Sequence, residues 1–123
     1  LIFGTGGASK AVQKVLKDLA IEFKLVSRTK EKNQLTYSNL TDETISNHKL
    51  IINTTPLGMY PDMENSPLIN YFCITNEHYC FDLIYNPEKT LFLLKSEEMD
   101  SKIKNGLEML HLQAEKSWKI WNS

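Results

Sequence analysis

Leu1-Ile2-Phe3-Gly4-Thr5-Gly6-Gly7-Ala8-Ser9 is a short apolar run that ends in a glycine turn and leads into Lys10-Ala11-Val12. That is how a strand passes into a helix around an anion. The first glycine allows a tight turn, and the second lets the main chain approach a pyrophosphate. A small third residue lets the helix pack close on the strand. The free N–H groups and positive dipole end of the helix then face the phosphates. Ser9 stands where a third glycine would complete GxGxxG. By itself the turn is equally a Gly-rich strand-to-helix loop. Its surroundings favour the dinucleotide reading. Ala8, Val12, Val15, Leu16 and Leu19 form an apolar stripe at helical spacing, and Glu22-Phe23-Lys24-Leu25-Val26 reads as a second strand.

Working outward, strands are expected at 1–3, 23–26, 50–53, 79–83 and 102–104, with a weak one near 34–37. Helices are expected at 8–19, 43–47, 91–99 and 107–121. This alternation predicts an α/β chain. Its architecture is a Rossmann-type, doubly wound, mostly parallel sheet with helices on both faces. The run Leu50-Ile51-Ile52 suits a strand buried on both sides. The segment 57–67, with Gly58, Pro61, Asn65 and Pro67, reads as a loop at the carboxyl end of a strand, where such folds place ligands. The first strand is expected to be central, in the order 3-2-1-4-5-6.

The 123 residues suffice for one compact domain, and residues 1–123 are read as a single nucleotide-binding unit. A net charge of −1 implies no general attraction to nucleic acid or membrane. No apolar run approaches the ~18 residues that span a bilayer, and no signal peptide is visible. Cys73 and Cys80 sit among apolar and aromatic residues and read as buried free thiols. They lack CxxC spacing, so no metal site is expected, and a reducing cytoplasmic location fits. His48, His78 and His111 are scattered, without metal or triad spacing. The chain starts inside a strand without a methionine, which reads as a truncated or processed domain.

The second strand runs into Ser27-Arg28-Thr29-Lys30-Glu31-Lys32. An NAD site usually has an acidic residue here that accepts from the ribose 2′-OH. This stretch offers hydroxyls and cations, which suit the 2′-phosphate of NADP. Arg28 can stack on adenine with its charge toward the phosphate, Ser27 and Thr29 can donate hydrogen bonds, and Lys32 adds a point charge. A solvated basic loop is the plainer alternative.

Three further stretches carry chemistry. They are Asn53-Thr54-Thr55-Pro56-Leu57-Gly58-Met59, Asp82-Leu83-Ile84-Tyr85-Asn86-Pro87 with Thr90, and Asn105-Gly106-Leu107 with Met109-Leu110 and Gln113-Ala114. Singly, each is compatible with turn chemistry, close packing or a solvated helix face. Together and in this order, after GTGGAS and SRTKEK, they resemble the nucleotide-binding domain of shikimate dehydrogenase. The resemblance covers essentially the whole chain. Thr5 replaces a common alanine, Ser27 a common asparagine, and Lys32 a common arginine, which keeps the charge but loses the fork geometry.

The resemblance implies NADP as cofactor. Gly4, Thr5, Gly6, Gly7 and Ala8 would hold the pyrophosphate. Ser27, Arg28, Thr29 and Lys32 would recognise the adenosine and its 2′-phosphate. Thr54, Thr55 and Pro56 would line the ribose side, and Leu83, Gly106 and Met109 the nicotinamide. Tyr85 and Gln113 would reach the substrate.

Gly106, Met109 and Gln113 share one helical stripe and Leu107, Leu110, Ala114, Trp118 and Trp121 another. The second stripe is expected on the sheet and the first at the cleft edge, with Gly106 leaving room for the nicotinamide. The implied reaction is reversible reduction of 3-dehydroshikimate to shikimate. Its Lys–Asp proton-transfer pair belongs to a preceding substrate domain, so no catalytic residue and no metal is assigned here. Asp82 is expected to be structural, accepting main-chain N–H groups. Quinate-using relatives and a non-catalytic dinucleotide-binding module are the alternatives. Exposed apolar surface near Leu57, Met59, Tyr60 and the last helix would favour self-association.

Overall fold

The computed structural model describes residues 1–31, 33–112 and 115. Its parallel strands are β1 (Ile2–Phe3), β2 (Leu25–Ser27), β3 (Gln34–Thr36), β4 (Leu50–Asn53), β5 (Tyr79–Asp82) and β6 (Lys102–Lys104), in the order β3-β2-β1-β4-β5-β6. The expected order and central first strand are both present. Although only two residues long, β1 pairs on both sides, Ile2 with Leu25 and Ile52, Phe3 with Val26 and Asn53. Helix α1 (Gly7–Asp18) links β1 to β2, α2 (Asp42–Asn47) precedes β4, and α3 (Leu91–Glu98) links β5 to β6. Residues 107–112 are helical; the rest of the helix expected to residue 121 lies almost entirely outside the described residues.

Strand alternation divides the core. Leu1, Phe3, Val26, Ile51 and Cys80 face Ile45 of α2 and Phe92 and Leu93 of α3. Ile2 and Ile52 face Leu16 of α1 on the other side. Helices therefore cover both faces. Phe3 is the aromatic centre, with Phe92 edge-on at 6.3 Å and Tyr37 stacked at 5.7 Å. Cys80 is buried, but Cys73 is only half-buried, because it ends the single turn Tyr71–Cys73 at the margin of this core. Buried His78 is a tie. Its Nε2–H donates to the Ile45 carbonyl at 2.9 Å, and Nδ1 accepts the Thr75 N–H at 3.0 Å.

Two predicted stripes are corrected. Val15 and Leu19 are 56% and 63% exposed, since the buried line of α1 runs through Ser9 and Leu16 with Val12 beside it. The strands it covers are too short to reach the flanks of a twelve-residue helix. Leu107 and Leu110 are 40% and 37% exposed and belong to neither core cluster, while Ala114, Trp118 and Trp121 of the same expected stripe lie outside the described residues. Polar and main-chain contacts fasten the start of that helix. Gly106 N–H donates to the Ile84 carbonyl at 3.2 Å, and the Asn105 side chain donates to the Glu88 carbonyl at 2.8 Å and caps Leu107 N–H at 3.0 Å. A Cβ on Gly106 would overlap the Leu83 carbonyl oxygen and stand 2.6 Å from its carbon. This backbone crossing by itself requires a residue without a side chain at position 106.

Asp82 ties the carboxyl ends of β4 and β5 to α3. Its Oδ2 accepts the Asn53 amide at 3.2 Å and the Thr90 hydroxyl at 2.7 Å, and its Oδ1 accepts the Ile84 N–H at 3.0 Å. Thr90 in turn caps α3 through the Leu93 N–H. Asn53 Oδ1 accepts the Thr55 N–H at 3.1 Å and its hydroxyl at 2.6 Å. The expected structural role of Asp82 is what the geometry shows. Burial holds its carboxyl above the usual carboxylate range, against the lowering pull of Thr90, the Ile84 N–H and Asn53.

Asp82→Ala leaves buried donors on Asn53, Thr90 and Ile84 without an acceptor, and is expected to cost about 3 kcal/mol in urea denaturation. A raised folded-state pKa means that the contribution of this group is fully present below the unfolded value and fades as pH rises through the folded one. The stability advantage of wild type over Asp82→Asn is therefore expected to be largest at acid pH and to shrink from about pH 4 upward. Gly106→Ala should lower the thermal midpoint by several degrees, because rigid backbone and not a flexible side chain meets the new methyl.

Candidate functional site: a groove across the carboxyl ends of the strands

Between β1 and β4 the chain order along the sheet reverses, so the connections leaving these two strands depart to opposite faces. The loops there part and leave a groove in two lobes. One lobe, about 320 Å³, lies among Gly4, Gly6, Ser27, Arg28, Tyr37 and Thr54. The other, about 340 Å³, lies among Pro56, Met59, Leu83, Tyr85 and Asn86. Thr54, Thr55 and Pro56 belong to both lobes and form the ridge between them.

The glycine turn sits at the head of the groove. Gly4 has φ +105°, which favours glycine, and a Cβ there would stand 2.5 Å from Thr54 Oγ1. That hydroxyl donates to the Phe3 carbonyl at 2.6 Å, so the turn and the ridge are locked together. Gly6 and Gly7 differ from Gly4: no atom lies within 4 Å of where their Cβ would be. Their main chain faces open space. Gly6 is the N-cap of α1, with no side-chain cap and no acidic residue in the first turn. Unpaired N–H groups and a positive dipole end thus meet an open surface, the arrangement an anion needs. Ser9, in the third-glycine position, is fully buried and accepts a hydrogen bond from Gln13 at 3.0 Å. It meets the demand for a small residue where helix and strand pack.

At the end of β2, Ser27 Oγ accepts the Thr29 N–H at 3.3 Å, folding the turn and leaving Arg28 exposed beside the first lobe. Lys32 lies outside the described residues. No residue from 27 to 30 is acidic. In the second lobe Leu83 is half-buried and Tyr85 exposed. Leu83 also carries the carbonyl against which Gly106 packs. Met109 is exposed and is not among the residues lining either lobe; Gln113 lies outside the described residues. The structure thus unites the glycine turn, Ser27-Arg28, Thr54-Thr55-Pro56, Leu83 and Tyr85. Tyr37 was missed by sequence reading, and Met59 was read only as part of the 53–59 stretch and as exposed apolar surface. Met59 stands beside the Pro-Leu-Gly turn. Tyr37 follows a three-residue strand whose placement in the sheet the local sequence barely signals.

The segment after β4 is irregular, as expected, and is pinned to the segment after β5 by the Tyr60 N–H donating to the Asn86 carbonyl at 3.0 Å. Met59 and Tyr60 are exposed and Leu57 half-buried. Among the described residues no cluster of three or more His, Cys, Asp or Glu could hold a metal, and no helix is long and apolar enough to cross a membrane.

The groove suits an extended molecule with a central anion at Gly6-Gly7 and a further negative group at Arg28. No protein-family model matches the chain. The shikimate dehydrogenase (NADP(+)) of Clostridium beijerinckii is 41% identical over 128 residues, which cover 98% of this chain and 47% of that protein. The crystal structure of shikimate dehydrogenase from Aquifex aeolicus superposes with a TM-score of 0.83 at 34% identity, over 98% of this chain and 47% of that one. Shikimate 5-dehydrogenase from Thermus thermophilus, in complex with NADP(H) and shikimate, gives a TM-score of 0.81 at 26% identity, over 98% and 47%. The chain spans about half the length of the curated relatives it matches. With its Rossmann-type sheet and its glycine, Ser-Arg-Thr and Thr-Thr-Pro loops on one groove, the chain is a homologue of the shikimate dehydrogenases along about half of their length.

Proposed function

We propose that this chain is the NADP-binding domain of a shikimate dehydrogenase, serving reversible reduction of 3-dehydroshikimate to shikimate within the shikimate pathway of the cytoplasm. The observation that carries the cofactor assignment is the juxtaposition in one groove of an open Gly6-Gly7 main chain and the Arg28 turn. Gly4, Thr5, Gly6, Gly7 and Ala8 hold the pyrophosphate with N–H groups. Ser27, Arg28 and Thr29, joined by Lys32, hold the 2′-phosphate, where an NAD enzyme would carry a carboxylate. Thr54, Thr55 and Pro56 support the ribose side, and their position is set by Asn53 and Asp82.

NADP, when bound, supplies hydride chemistry. The residues of this chain orient it, with Leu83 and Met109 assigned to the nicotinamide end. Tyr85 and Gln113 are assigned to the substrate. Proton transfer to the substrate oxygen requires an acid, which we assign to a Lys–Asp pair of a partner domain that encloses the substrate from the far side of the groove. Met59, Tyr60 and the exposed residues Leu107 and Leu110 supply apolar surface for that domain or for self-association.

The assignment is tested by titration calorimetry. NADP+ is expected to bind the chain more tightly than NAD+, and Arg28→Asp to weaken NADP+ about tenfold or more while sparing NAD+. Equal affinity for the two, or an Arg28→Asp variant that still prefers NADP+, overturns it. The isolated chain is also expected to show no steady oxidation of NADPH with 3-dehydroshikimate, and activity is expected on adding the substrate-binding half of a relative; turnover by the chain alone would disprove the division of labour.

A further inference from the structure

Only residues 28–33 separate the end of β2 from the start of β3, although these strands pair in parallel, Leu25 with Gln34 and Ser27 with Thr36. Parallel crossovers usually take about a dozen residues or more and carry a helix. Among the described residues no helix lies between β2 and β3, so none brings the N–H groups of its N-terminus to an anion beside Ser27 and Arg28. A phosphate monoester carries about −1.5 to −2 charge and three acceptor oxygens. Side-chain donors on this turn and beside it therefore carry more of the demand of those oxygens than they would at a helix N-terminus.

The short connection also brings the end of β3 to the wall of the same lobe. Its next residue, Tyr37, lines the lobe with Gly4, Ser27 and Arg28. The backbone at Tyr37 is fixed: Thr36 accepts the Asn39 N–H, and the Asn39 side chain accepts the Thr36 N–H. The ring is held by its stack on Phe3, with 24° between the planes. Burial raises the phenol above its usual range while the Arg28 charge draws it down, so the hydroxyl is protonated at neutral pH and within the field of Arg28. Among the described residues the hydroxyl has no hydrogen-bond partner.

We propose that the Tyr37 hydroxyl is a specificity-determining donor to the 2′-phosphate of the cofactor, completing the set begun by Ser27, Arg28 and Thr29. This rests on the NADP reading of the groove. It differs from a stacking role, because a ring platform would serve NAD and NADP alike.

The test compares 2′,5′-ADP with 5′-AMP, which differ only in the 2′-phosphate, by titration calorimetry on wild type and Tyr37→Phe. The variant keeps the ring and its stack, so its thermal midpoint is expected to be unchanged. A hydrogen bond to a charged group predicts an about tenfold loss of 2′,5′-ADP affinity with 5′-AMP held within about twofold. Equal loss for both nucleotides makes Tyr37 a platform and overturns the proposal, as does no loss for either. If wild type itself fails to prefer 2′,5′-ADP, the NADP reading falls too, an outcome distinct from a variant that loses nothing.

Discussion

A single buried carboxylate, Asp82, holds together the parts of the molecule on which the groove depends. It joins the ends of two neighbouring strands and the cap of the helix that follows, through Asn53, the Ile84 N–H and Thr90. Each donor would otherwise be buried without an acceptor, so the network is worth most as a complete set. Asn53 then passes the order outward, since the oxygen it has left accepts both polar hydrogens of Thr55. The ridge between the two lobes is thus positioned by a residue that does not itself line the groove. Asp82 stands where a catalytic acid could have been imagined, and its donors account for it completely as structure.

The groove follows from topology. Where the strand order reverses, neighbouring loops leave for opposite faces and space opens between them. Gly4 lets the first loop press against Thr54, while Gly6 and Gly7 leave the next stretch bare. Glycines three residues apart or less therefore do opposite jobs: one permits contact within the protein and two preserve room for something outside it. Gly106 belongs with Gly4, because a main-chain carbonyl fills the space its side chain would take.

Economy in the β2–β3 connection has a consequence for charge. With no crossover helix among the described residues, the first lobe is walled by side chains of a short turn and by the residue that follows the next strand. Tyr37 lines the same lobe as Arg28, its ring stacked on Phe3, a residue of the central strand and of the core. Core packing and the wall of the groove are thereby coupled through one aromatic pair.

The local sequence alone determined the alternation of strands and helices, the glycine turn, the basic turn after β2 and the loop after β4. Each is written in nearest-neighbour chemistry: apolar periodicity, glycine where φ must be positive, and hydroxyl and cationic residues without a carboxylate. The roles of Val15, Leu19, Leu107 and Leu110 were misread, because periodicity shows that a helix has an apolar side but not how much sheet lies beneath it. Tyr37 was invisible for a related reason. Its place at the groove depends on β3 adding beside β2 after a short connection, a pairing between residues whose side chains carry little of the signal. Only the tertiary structure decided which glycine is crowded and which is open, because that depends on what other segments bring to within a few ångströms.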